Sequence, residues 1–71
     1  MIAIGDEIGL LWAGSLATGV VTEVHPQRHE ILSKGKRIIR NGTSDDPALV
    51  IRHFKGSLVL KLQHEVQMLK K

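Results

Sequence analysis

The chain concentrates its cations in one stretch. Arg28, Lys34, Lys36, Arg37 and Arg40 fall within thirteen residues that hold a single carboxylate, Glu30. Lysine and arginine at this density attract anions without fixed geometry, and Gly35, between Lys34 and Lys36, permits a tight turn whose exposed amides add to the pull. Phosphate contact by Arg28, Lys34, Lys36 and Arg37 is therefore the sharpest chemistry on offer, with nucleic acid or a phosphorylated small molecule as ligand. The competing reading leaves those residues only the task of keeping a strand surface soluble. Two rings could stack on a base. Trp12 follows the apolar Leu10 and Leu11 and is expected to anchor the core or its rim. Phe54, beside Lys55-Gly56, is expected to be the more exposed.

The remaining constellations point to ordinary roles. His25 and His29 are four residues apart, but Pro26 between them argues against a helix that would bring both rings to one face. No cysteine is present and no carboxylate cluster completes a tetrahedral set, so no metal or cofactor is expected. Ser15, Ser33, Ser44 and Ser57 sit in or beside turns, where backbone hydrogen bonding accounts for them. No nucleophile-elbow, phosphate-loop or dinucleotide spacing occurs, and the chain is expected not to be an enzyme. Asp45-Asp46 precedes Pro47 in a polar loop. Arg40 is expected to pair with one of the two carboxylates and so pin residues 41–47.

The elements that would carry these residues are short strands. Apolar segments alternate with Gly, Pro, Asn and Asp clusters about every ten residues, the rhythm of a small sandwich or barrel. A first strand is expected over 7–12, with Ile8, Leu10 and Trp12 on one face. A β-branched stretch, 18–24, follows and stops at Pro26. Residues 30–40 read as a hairpin around Lys34-Gly35 or as one kinked strand. Residues 49–54 and 58–62 make a second hairpin about Lys55-Gly56, with Leu58, Leu60 and Leu62 on one face. Leu62, Val66 and Leu69 recur at helical spacing, so 63–69 is expected to form a helical turn over the end of the sheet. The fold class is all-β: a small SH3-like or Tudor-like barrel of about five strands with a short C-terminal helical turn.

Seventy-one residues carrying a net charge of +3 suit one domain, expected over 1–71, and one small enough to gain from self-association. No apolar run approaches the ~20 residues needed to span a bilayer, and Met1-Ile2-Ala3-Ile4-Gly5-Asp6 lacks the basic start of a signal peptide. A cytoplasmic protein with no membrane partner is the expectation.

Gly5-Asp6-x-Ile8 with Trp12, then Gly19-x-Val21-x-x-Val24, then Ile39-Arg40-Asn41-Gly42-Thr43-x-x-x-Pro47-Ala48 resembles the hypervirulence-associated protein Tudor-domain family. Val50-Ile51, Lys55-Gly56, Val59-Leu60-Lys61 and Glu65-Val66 extend the resemblance over nearly the whole chain. It implies a compact Tudor or SH3-like barrel and speaks to fold more than to activity. A methyl-lysine cage takes two to four rings around the cation. Trp12 and Phe54 are the chain's only aromatic residues of the Phe, Trp and Tyr class, so the resemblance does not extend to histone reading. The expected function is a non-enzymatic binding module making weak electrostatic contact with nucleic acid or a phosphorylated ligand through the basic 34–40 segment. The alternative is a structural or protein-interaction module, homodimeric through exposed strand edges, that binds no nucleic acid.

Overall fold

The computed structural model describes residues 2–12 and 14–69, with side chains for all of these except 11 and 12. Among them run seven strands in chain order: β1 (Glu7–Trp12), β2 (Ser15–His25), β3 (Arg28–Ser33), β4 (Lys36–Asn41), β5 (Ala48–His53), β6 (Leu58–Leu62) and β7 (Gln67–Met68). All pairings are antiparallel. The main sheet has the order β6-β5-β2-β1-β7, and β3 and β4 form a separate two-stranded hairpin.

The apolar run Ala48-Leu49-Val50-Ile51 explains how these pieces assemble. A strand hydrophobic at every position needs cover on both faces, and all four residues are buried. Leu49 and Ile51 join Ile2, Ile8, Leu10, Val21 and Val59 in the larger core. Ala48 and Val50 turn the other way and pack with Leu60, roofed by Ile31 and Ile38 of the β3–β4 hairpin and by Leu62. The hairpin is thus the second layer that closes the small barrel over the reverse face of β5.

Local chemistry fixes this hairpin. Ser33 pairs with Lys36, leaving Lys34-Gly35 as a two-residue loop in which both residues have positive φ, 53° and 77°. That is the primed turn whose twist suits antiparallel strands. Residues 30–40 therefore form a hairpin and not a kinked strand. The expected 18–24 strand starts three residues earlier, where Ser15 to Val20 pair with β1. Between Val21 and Glu23 the ladder with β5 slips by one residue, so Thr22 is a bulge, and its hydroxyl donates to the Val50 carbonyl at 3.1 Å.

The helical turn is shorter than its spacing suggests. Only Gln63–Glu65 is helical, as one 3₁₀ turn. Residues beyond Val66 instead complete the free edge of β1, with Ile8 opposite Met68 and the Leu69 N–H donating to the Glu7 carbonyl at 3.3 Å. Unpaired strand groups at that edge outcompete further helix, which would leave them bare.

Gly42 shows how tightly the loop before β5 is drawn in. Its N–H donates to the Gln27 carbonyl at 3.2 Å. A Cβ at this position would meet the Ala48 nitrogen at 2.5 Å and the Gln27 oxygen at 2.9 Å, both backbone atoms that cannot swing aside. Gly42→Ala is expected to cost about 2 kcal/mol or more by overpacking, read as a lowered midpoint of urea unfolding at unchanged slope.

Candidate functional site

Strand register sorts the charged residues by face. Glu7, Val20, Arg52 and Leu58 stand opposite one another across β1, β2, β5 and β6, at the end of the reverse face that the hairpin leaves uncovered. An open groove of about 430 Å³ lies there, lined by Glu7, Thr18, Val20, Arg52, Phe54 and Lys55 among others. Phe54 is 68% exposed. It rests 4.4 Å from the buried His53 ring, and the Lys55 ammonium stands 5.8 Å from its centroid. His53 accepts the Lys55 N–H at Nδ1, 3.2 Å away, which fixes the 54–56 turn beneath the ring.

The hairpin tip reaches the same end of the molecule. Ser33 Oγ donates to the Leu58 carbonyl at 2.7 Å. Lys36 is the strand partner of Ser33 and Arg52 that of Leu58, so this bond carries Lys34 and Lys36 toward the strand that holds Arg52 and the turn that holds Lys55. Arg52 and Lys55 gave no signal as a pair in the sequence, because it is the end of β5 running into its turn that brings both to one groove.

The other predicted anion contacts lie apart. Arg28 pairs with Asn41 at the open end of the hairpin, about five strand residues or ~16 Å from the tip. Arg37 faces away from the sheet, and its Nε donates to Glu30 at 3.0 Å, an exposed pair. The stacking role considered for Trp12 lies outside the described side chains.

Arg40 does not pin the loop through Asp45 or Asp46, as its place in the sequence suggested. Its Nε donates to Glu65 at 3.2 Å and its Nη1 to the Ile39 carbonyl at 3.0 Å. Asp46 instead holds His64, accepting the His64 N–H at 2.9 Å and approaching its Nδ1 at 2.6 Å. The sequence joined Arg40 to the nearest acids along the chain. The fold gives it the acid at the far end of β6, because the 3₁₀ turn doubles back beside β4. The loop is pinned from that turn.

Both carboxylates sit below their ordinary titration range. For Asp46 the cause is the hydrogen bond from the His64 side chain, followed by that from the His64 backbone. For Glu65 the desolvation by surrounding chain pushes upward, but the Leu62 N–H and the Arg40 guanidinium outweigh it.

One cluster forms that the sequence spacing spoke against. His25 ends β2 and His29 lies in β3, and the Pro26-Gln27 turn folds the second strand back so that the two rings stack 3.5 Å apart at 10°. Glu23 Oε1 lies 2.7 Å from His25 Nε2 and 3.8 Å from His29 Nε2. No helix joins the two histidines, yet a strand–turn–strand path brings the imidazoles together.

Among the described residues no helix is long and apolar enough to cross a membrane. A family model described as hypervirulence associated proteins TUDOR domain matches residues 5–66. Searches of curated proteins and of solved structures found no match.

A lowered carboxylate pKa means that the folded state holds the proton less tightly than the unfolded chain, so its contribution is present above the unfolded value, about pH 4, and is lost as pH falls through the folded one. Stability is therefore expected to drop below about pH 4. In Asp46→Asn the drop should be shallower, as read by thermal unfolding across an acid series. An unchanged acid limb would contradict the role assigned to the Asp46–His64 contact.

Proposed function

Since the chain belongs to the hypervirulence-associated protein Tudor-domain family, we propose that it works as a small non-enzymatic binding module whose ligand is a polyanion, single-stranded nucleic acid in the first instance. The observation that carries this reading is the exposed Phe54 ring in a groove shared with Arg52 and Lys55. Aromatic faces stack on any base, and flexible cations follow a backbone without sequence preference. Lys36, brought to the same end by the Ser33–Leu58 bond, extends the cationic surface. Arg28 and Arg37, the first at the far end of the hairpin and the second on Glu30, have smaller parts than their charge alone suggests. Glu7 on the groove's rim opposes anions locally, so the affinity is weak and electrostatic. A cytoplasmic setting accords with this reading.

Fluorescence anisotropy with labelled single-stranded DNA and RNA, with ATP as competitor, tests it at two salt concentrations. Neutralising four phosphates of a single strand should weaken binding roughly fifty-fold between about 50 and 200 mM salt. Phe54→Ala should cost between about fivefold and a hundredfold on oligonucleotides, and Lys55→Ala or Arg52→Ala should each lower the salt slope by about one phosphate contact. Competition by ATP to the same extent as by oligonucleotide would shift the ligand to a phosphorylated small molecule. Absence of salt-dependent binding would end the polyanion reading and leave the module to act through protein contacts.

A further inference from the structure

We infer that Glu23, His25 and His29 form a binding site for a divalent transition-metal ion of the zinc, cobalt or nickel class. One Glu23 oxygen and one ring nitrogen from each histidine lie within 4.8 Å of one another. Two imidazoles and one carboxylate are the donors such borderline ions take, and three protein donors leave a fourth position open. Donors around a tetrahedral ion at ~2.0–2.1 Å sit roughly 3.3 Å apart. The separations from Glu23 Oε1, 2.7 Å to His25 and 3.8 Å to His29, straddle that spacing.

The fold supplies what the spacing in sequence does not. Opposite Val50 and Ala48, Glu23 and His25 are carried by the reverse face of the sheet, the one the hairpin roofs. His29 shares its hairpin face with Ile31, which packs down on that same sheet. Pro26 restricts the backbone of the intervening turn, and the Gln27 carbonyl is held by the Gly42 N–H. The donors are therefore positioned by two strands and a fastened two-residue turn. Both histidine side chains keep about a quarter of their surface exposed and Glu23 about half, so an ion can enter from solvent. Arg40, the strand partner of His29, has its charge countered by Glu65. The nitrogen lone pairs lie in the ring planes, and planes only 10° apart scarcely converge, so sharing an ion opens the stack by rotation about the Cβ–Cγ bonds.

Such an ion would tie the sheet to the hairpin and bind the folded chain alone, so the ion also raises the unfolding temperature. Calorimetric titration of the whole chain with zinc chloride, and thermal unfolding with and without zinc, are the tests. The expected result is one zinc per chain, a raised midpoint, and a loss of about tenfold or more in affinity for His29→Gln and for Glu23→Gln. His64→Gln, which alters the separate Asp46 contact, should bind zinc as the native chain does. Cobalt(II) provides a second readout on the native chain, requiring no variant to fold: intense visible bands mark four-coordinate nitrogen–oxygen ligation. No zinc binding, equal affinity in His29→Gln, loss of affinity in His64→Gln, or a cobalt spectrum of the hydrated ion alone would each overturn the assignment.

Discussion

Burial of β5 on both faces is the constraint from which the other contacts follow. A run of four apolar residues offers hydrophobic surface to two sides at once, and Leu49, Val50 and Ile51 each contribute on the order of 1.5–3 kcal/mol only if removed from water. The main sheet covers one side through Ile8, Leu10, Val21 and Val59. The reverse side requires the β3–β4 hairpin, and Ile31 and Ile38 are the residues that meet it. A chain this small buries only about 60% of the surface its unfolded form exposes, so neither layer is dispensable.

Polar contacts then fasten the layers where apolar packing runs out. Ser33 ties the hairpin tip to β6, Arg40 ties β4 to the 3₁₀ turn, and Asp46 ties the loop before β5 to that same turn. Glu65 takes part twice, accepting the Leu62 N–H at 2.8 Å as well as the Arg40 guanidinium. These contacts are largely solvent-facing, where ion pairs contribute little individually. Their value is directional: they set how the hairpin and the turn lie against the sheet.

Much of the fold is readable in the residues because it rests on local rules. Lys34-Gly35 marks a turn, the apolar stretch from Leu49 marks a strand, and Ile8 with Leu10 shows the alternating face; that the turn is primed and the strand covered on both sides emerges only from the fold. What escaped lies in contacts made across the chain. Arg40 found an acid twenty-five residues away rather than one five or six away. The histidine stack has no local signature: a four-residue spacing points to a shared face only in a helix, whereas here a two-residue turn between strands produces the proximity. Arg52 and Lys55 look like isolated solubilising charges until the end of β5 and its turn set them around one groove with Phe54. The C-terminal segment kept its apolar spacing but answered to the open edge of β1, a demand that no local pattern announces.

The single extra residue at Thr22 has an effect out of proportion to its size. A strand alternates strictly, so one inserted position inverts the phase of everything after it. Before the bulge, Val21 points into the main core; after it, Val24 still does, three residues on, where unbroken alternation would have sent Glu23 there. Without that phase inversion a carboxylate and an imidazole would be driven into hydrocarbon while Val24 was turned out to face the hairpin. By skipping one beat, the chain lets the strand serve the oily interior on both sides of the bulge, through Val21 and Val24, and still deliver its ionisable residues to the outer layer.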